Sequence, residues 1–127
     1  MIRVALLAAA ALAVYVAVHG LRRTDACDSA TSDLVSAIAR HEGGYPARAQ
    51  ALREGCDASK DLVAASIRLT AVGDRRDAIA LTRRATQTAP GDYLGWLGLA
   101  RLLGPRDPER AVAAATVREL NPLASVK

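Results

Sequence analysis

Two cysteines and two histidines are the residues on which chemistry would most readily be built, and their spacing limits what that chemistry is. Cys27 and Cys56 have no histidine near them at a zinc interval and form no haem-attachment pattern, so neither a metal site nor a cofactor is expected. His41 stands beside Glu42 and the Gly43-Gly44 turn, and His19 lies in an apolar run; neither has a nucleophile or metal partner at motif spacing. Ser29, Ser32 and Ser36 gather where we expect a helix to begin, and capping accounts for them. Gly43-Gly44 and Gly95-x-x-Gly98 lack the lysine and the strand of a phosphate-cradling loop. The chain reads as a non-enzyme with no catalytic residues.

The elements that carry the cysteines favour a bond between them. Asp28 to His41 reads as one helix with Leu34, Ala37 and Ile38 on a shared face, Glu42-Gly43-Gly44 breaks it, and Tyr45-Pro46 opens a second helix through Glu54. Antiparallel packing then returns Cys56 to the end where Cys27 began. A loop of that size contributes roughly 3 to 4 kcal/mol on the chain-entropy account. Two unrelated buried thiols are the alternative. Disulfides persist outside the reducing cytosol, so the pair points to an extracytoplasmic C-terminal part with the amino terminus inside.

Ahead of this lies Val4 to Leu21, without a charged group unless His19 is protonated, and about 27 Å long as a helix, enough to cross a bilayer core. Arg3 on one side and Arg22-Arg23 on the other leave the positive-inside rule undecided. The small-residue exits are poor, Val18-His19-Gly20 having only an acceptable pattern and Thr24-Asp25-Ala26 lying beyond two arginines, so we expect an uncleaved anchor over residues 1–23, the alternative being secretion after signal cleavage. Thr24-Asp25-Ala26-Cys27 lacks the apolar residue that lipoprotein acylation needs three places before its cysteine.

A chain of 127 residues has room for one small domain beside the anchor, and 51% hydrophobic content with 3% aromatic and no Phe implies a core of small side chains packed between helices. Trp96, Tyr15, Tyr45 and Tyr93 are too few aromatics for a sandwich, a barrel or a base-stacking platform. Of the net +4, three cations, Arg3, Arg22 and Arg23, flank the apolar run; the remaining Lys and Arg nearly balance the 13 Asp and Glu. Arg75-Arg76 and Arg83-Arg84, interleaved with Asp74 and Asp77, fit a solvated helix face rather than a nucleic-acid surface.

Self-comparison organises residues 24–127. Leu62, Ala65, Ser66, Leu69, Gly73, Ala78, Ala85 and Pro90 have the spacing of a helix-turn-helix unit, and a step of 34 residues carries the first four onto Trp96, Leu99, Ala100 and Leu103. The second unit drifts, with Ala111 standing for Ala78 and Pro122 for Pro90. In these positions the chain resembles the tetratricopeptide-repeat family. The resemblance implies an all-α domain, a short right-handed repeat of about three hairpins near 28–55, 58–90 and 92–122, which with the apolar run ahead of it gives an N-terminal transmembrane helix followed by the repeat. Thr82 departs from the family pattern, which places a bulky residue there. Asp74, Asp92 and Asp107-Pro108-Glu109 read as helix starts on their own chemistry. Leu62, Leu69, Ile79, Trp96, Leu99 and Leu103 recur at helical spacing and are expected in the core.

In the resembling family the first helices of successive units line a concave groove. The matching positions here are Val63, Ile67 and Thr70, then Leu94, Leu97 and Arg101, which the resemblance makes the candidate peptide groove; burial against the first hairpin is the alternative. The family's clamp for a terminal carboxylate uses lysine and asparagine where this chain has Val63 and Ile67, so capture of a chaperone tail is not expected. The expected function is a membrane-anchored protein-interaction or assembly module of the cell envelope, with another protein or peptide as partner and no nucleic acid. The alternative is a small accessory subunit held in a larger membrane complex by its transmembrane helix.

Overall fold

The computed structural model describes residues 2–124; Met1 and residues 125–127, parts of the anchor and domain expected above, lie outside it, and of Ile2 to Val4 only the backbone is described. Six helices and no strand make up the described residues: α1 (Ile2–Arg40), α2 (Tyr45–Gly55), α3 (Ser59–Ala71), α4 (Arg75–Thr88), α5 (Tyr93–Leu102) and α6 (Pro108–Leu120). They pack as consecutive hairpins, α1 with α2, α3 with α4 and α5 with α6, and α3 also touches α5.

One expectation fails at the start of the domain. The anchor and the first domain helix are a single 39-residue helix, about 58 Å long, with no break before Asp28. No proline interrupts the stretch between Leu21 and Asp28. The Thr24 hydroxyl donates to the Gly20 carbonyl at 2.7 Å, so a residue suited to capping is satisfied inside the helix. Ser29, Ser32 and Ser36 therefore lie in mid-helix and cap nothing. Residues 5–26 are exposed on every side, including Leu6, Leu7, Leu12, Val14, Val16 and Leu21. This is one helix long and apolar enough to cross a membrane.

Helix ends follow the local chemistry. Asp74 accepts from the Asp77 amide at 3.3 Å, Asp92 from Leu94 at 3.0 Å and Asp107 from Glu109 at 2.9 Å. Both α1 and α3 end with a residue in the left-handed region. Gly73, at φ 85°, lets the Asp74 amide reach back to the Leu69 carbonyl at 2.9 Å. At the end of α1 the same place is taken by His41, at φ 55°, and the Glu42 amide reaches the Ala37 carbonyl at 3.0 Å. His41 thus does the work of a terminating glycine.

The core is made of leucine and alanine. Leu34, Ala37, Ala49, Leu52, Leu62, Ala65, Leu69, Ala78, Leu81 and Ala85 are buried across α1 to α4. A second cluster, Leu99, Ala100, Leu103 and Ala113, joins α5 to α6, with Ile79 and Trp96 packed against it and only partly buried. The Trp96 indole donates to the Pro90 carbonyl at 2.8 Å, so its polar edge is satisfied. In α6 the buried residues are Ala113 and Val117, whereas Ala111 is exposed. The step from Ala78 is therefore longer than the spacing predicted, because the face α6 turns to α5 starts one half-turn later.

Thr82 fills its place without bulk. It is fully buried, donates to the Ala78 carbonyl at 2.7 Å, and faces Gly98, where an added Cβ would meet its methyl at 3.1 Å. A small residue on each helix lets α4 and α5 approach closely.

Candidate functional site

The described structure has two ends, and the links between hairpins define them. Cys27 and Cys56 are bonded, with Cα atoms 4.4 Å apart, as the antiparallel first hairpin requires. Arg23 pairs with Asp57 at 3.0 Å and Ser59 donates to Asp92 at 3.0 Å. The beginnings of α3 and α5 therefore stand level with the point where α1 leaves its apolar half. From there both helices run away from that end, and Arg75, at the far end, donates to the Leu102 carbonyl.

Between α3 and α5 lies an open depression of about 390 Å³. All six residues that the family resemblance named line it: Val63, Ile67 and Thr70 from α3, and Leu94, Leu97 and Arg101 from α5. Ile67 is 65% exposed and Leu94 45% exposed, so the first hairpin does not cover them. The floor is Ser66, a repeat position, with Gly98 and Leu102, neither of which the sequence brought forward as lining a groove. Ser66 donates to the Val63 carbonyl at 2.7 Å and offers the groove no free proton. Arg101 stands at the far end, and no carboxylate of the described residues pairs with it. The lining is apolar with one cation, suited to an apolar side-chain row that carries an acidic group.

The opposite face differs in charge. A depression of about 370 Å³ is lined by Arg53, Glu54, Ala80, Arg83, Arg84 and Gln87. The second arginine doublet was expected to be countered by Asp74 and Asp77; instead Arg83 grips Glu109 with Nε at 2.9 and 3.0 Å from its two oxygens, and Arg84 reaches Asp57 at 2.6 Å. Each arginine points off its own helix and ties α4 to a neighbour. The Arg83 hydrogen bond holds the Glu109 carboxyl below its ordinary pKa, and Glu109 in turn raises that of Arg83. Burial, helped by the hydrogen bond and charge of Asp74, pushes the Asp77 carboxyl upward.

Asp61 is a residue the sequence did not bring forward. Its carboxylate lies with Cys27 and Cys56 in a cluster whose ligand atoms are within 4.8 Å of one another. The two sulfurs are consumed in the disulfide, which leaves one carboxylate and no cation site. No protein-family model, curated protein or solved structure matches the chain.

Proposed function

We propose that this chain is a membrane-anchored helical-repeat module of the cell envelope that holds an apolar, acid-bearing segment of another protein in the α3–α5 groove. The observation that carries the reading is the groove itself: exposed Ile67 and Leu94 converge with half-buried Leu97 beside an arginine that no carboxylate of the described residues pairs with. An exposed apolar patch on a domain marks an interface more often than a packing accident. The consecutive hairpins and the contact of α3 with α5 are what a tetratricopeptide-like repeat would supply, and they support that reading. The exposed apolar half of α1 supports a single-pass anchor, and the disulfide supports an extracytoplasmic domain. Leu97→Glu is expected to abolish co-purification of the partner from native membranes while the helical circular-dichroism signal and the disulfide persist. Arg83→Ala with Arg84→Ala, which releases Glu109 and Asp57, is expected to leave both the helical signal and co-purification intact; the reverse pattern, with both variants still helical, would overturn the groove reading in favour of an anionic ligand on the opposite face.

A second reading has its own observation, the complete exposure of α1 over residues 5–26. In that reading the apolar helix makes the specific contact in a larger membrane complex and the domain stabilises it. Exchange of Val4 to Leu21 for an unrelated apolar helix separates the two, because partner recovery survives the exchange only if the groove is the recognition surface.

A further inference from the structure

The domain has no linker. Leu21 closes the apolar run, Cys27 is already bonded to the domain six residues later, and the helix between them is unbroken. That interval is about 9 Å of helix, close to the depth of one headgroup layer. The end of the domain level with Arg23 is built from the 56–58 turn, the 89–92 turn and the close of α6, the last reached because α6 runs antiparallel to α5. On that end Lys60 is exposed, Leu120 is 41% exposed and Leu123 is 96% exposed, the most uncovered large apolar side chain among the described residues. At the far end the 103–107 turn carries exposed Pro105 and Arg106 and buries its one leucine, Leu103.

We propose that this end of the domain rests on the lipid surface, with Leu120 and Leu123 seated at the boundary between the outer headgroups and the acyl chains and Lys60, Arg22 and Arg23 at phosphate level. The proposal rests on the reading of residues 4–21 as a membrane anchor. What adds to that reading is continuity: α1 is unbroken from the apolar run to the staple at Cys27, so the near end of the domain follows the apolar run with no linker between them. A leucine in the interface and cations at the phosphates are the ordinary preferences of those side chains.

The test uses the full chain in phosphatidylcholine–phosphatidylglycerol vesicles whose acyl chains are brominated and quench tryptophan. In a Trp96→Phe background, Leu123→Trp is expected to lose emission in brominated vesicles relative to unbrominated ones, and Pro105→Trp is expected to keep it. Amide exchange on the unaltered chain provides a readout without substitution: residues 120–124 should be slowed in vesicles relative to detergent micelles, and residues 103–107 should not. Equal emission from the two tryptophan variants, with the chain resisting extraction by alkaline carbonate, would overturn the lipid contact and leave the anchor standing. Release of the chain by carbonate would overturn both.

Discussion

Arg83 and Glu109 join α4 to α6 by a two-pronged contact whose strength depends on the charge of one carboxyl. Because Glu109 titrates lower in the folded chain than in the unfolded one, its contribution is fully present above the unfolded carboxylate range and disappears as pH falls through the folded value. Asp77 has the opposite sign: its raised pKa makes the folded state favour the neutral form, so its ionisation counts against folding and acid relieves it. Urea midpoints of Glu109→Gln and the parent chain are therefore expected to converge as pH drops from roughly 5 to 3, the Glu range, with the parent ahead only on the neutral side. Asp77→Asn is expected to be close to neutral or slightly stabilising at neutral pH, because the backbone amide that Asp74 caps is unchanged and the uncharged side chain can still donate to Asp74. None of these partners could be read from the sequence, since Glu109 and Asp57 lie 26 and 27 residues from the arginines they hold.

At the scale of the element, α1 carries two features that stability measurements can reach. Its C-terminal turn places His41 where a side chain costs free energy and glycine does not, so His41→Gly is expected to stabilise the chain by about 0.5 to 1 kcal/mol in denaturant titrations. The Cys27–Cys56 staple closes 29 residues, and Cys27→Ser with Cys56→Ser is expected to cost about 3 to 4 kcal/mol. Helix starts were legible because an aspartate cap is a local device: Asp74, Asp92 and Asp107 each bond an amide two or three residues on. The continuity of α1 was not legible, because Thr24, Asp25 and Asp28 favour caps yet are tolerated on an exposed helix, where the Thr24 hydroxyl returns to its own backbone. The register of α6 was missed for a related reason. Alanine at 111, 113, 114 and 115 gives no periodic contrast by which to tell the buried face from the exposed one.

For the molecule as a whole, the depression between α3 and α5 falls on the six residues that the family resemblance named, because they sit at matching places on two helices that the Ser59–Asp92 bond and the α3–α5 contact hold side by side. Its floor was hidden, since Gly98 matters through a contact with Thr82 that only the packing of α4 against α5 creates. The unbroken α1 gives that groove a compass bearing. With no swivel between the apolar half of α1 and the staple at Cys27, the direction in which the groove opens is locked to one azimuth of the apolar segment. Each residue inserted between Leu21 and Arg22 would swing the groove by about 100° around the helix axis while lifting it only about 1.5 Å. A partner that is itself fixed in the bilayer beside α1 would lose the groove after one or two inserted alanines and find it again after four, which bring the bearing back to within about 40°. A partner arriving from solution would be indifferent to the phase, so the period of the response in co-purification would tell whether a partner of the proposed groove is fixed in the bilayer or not.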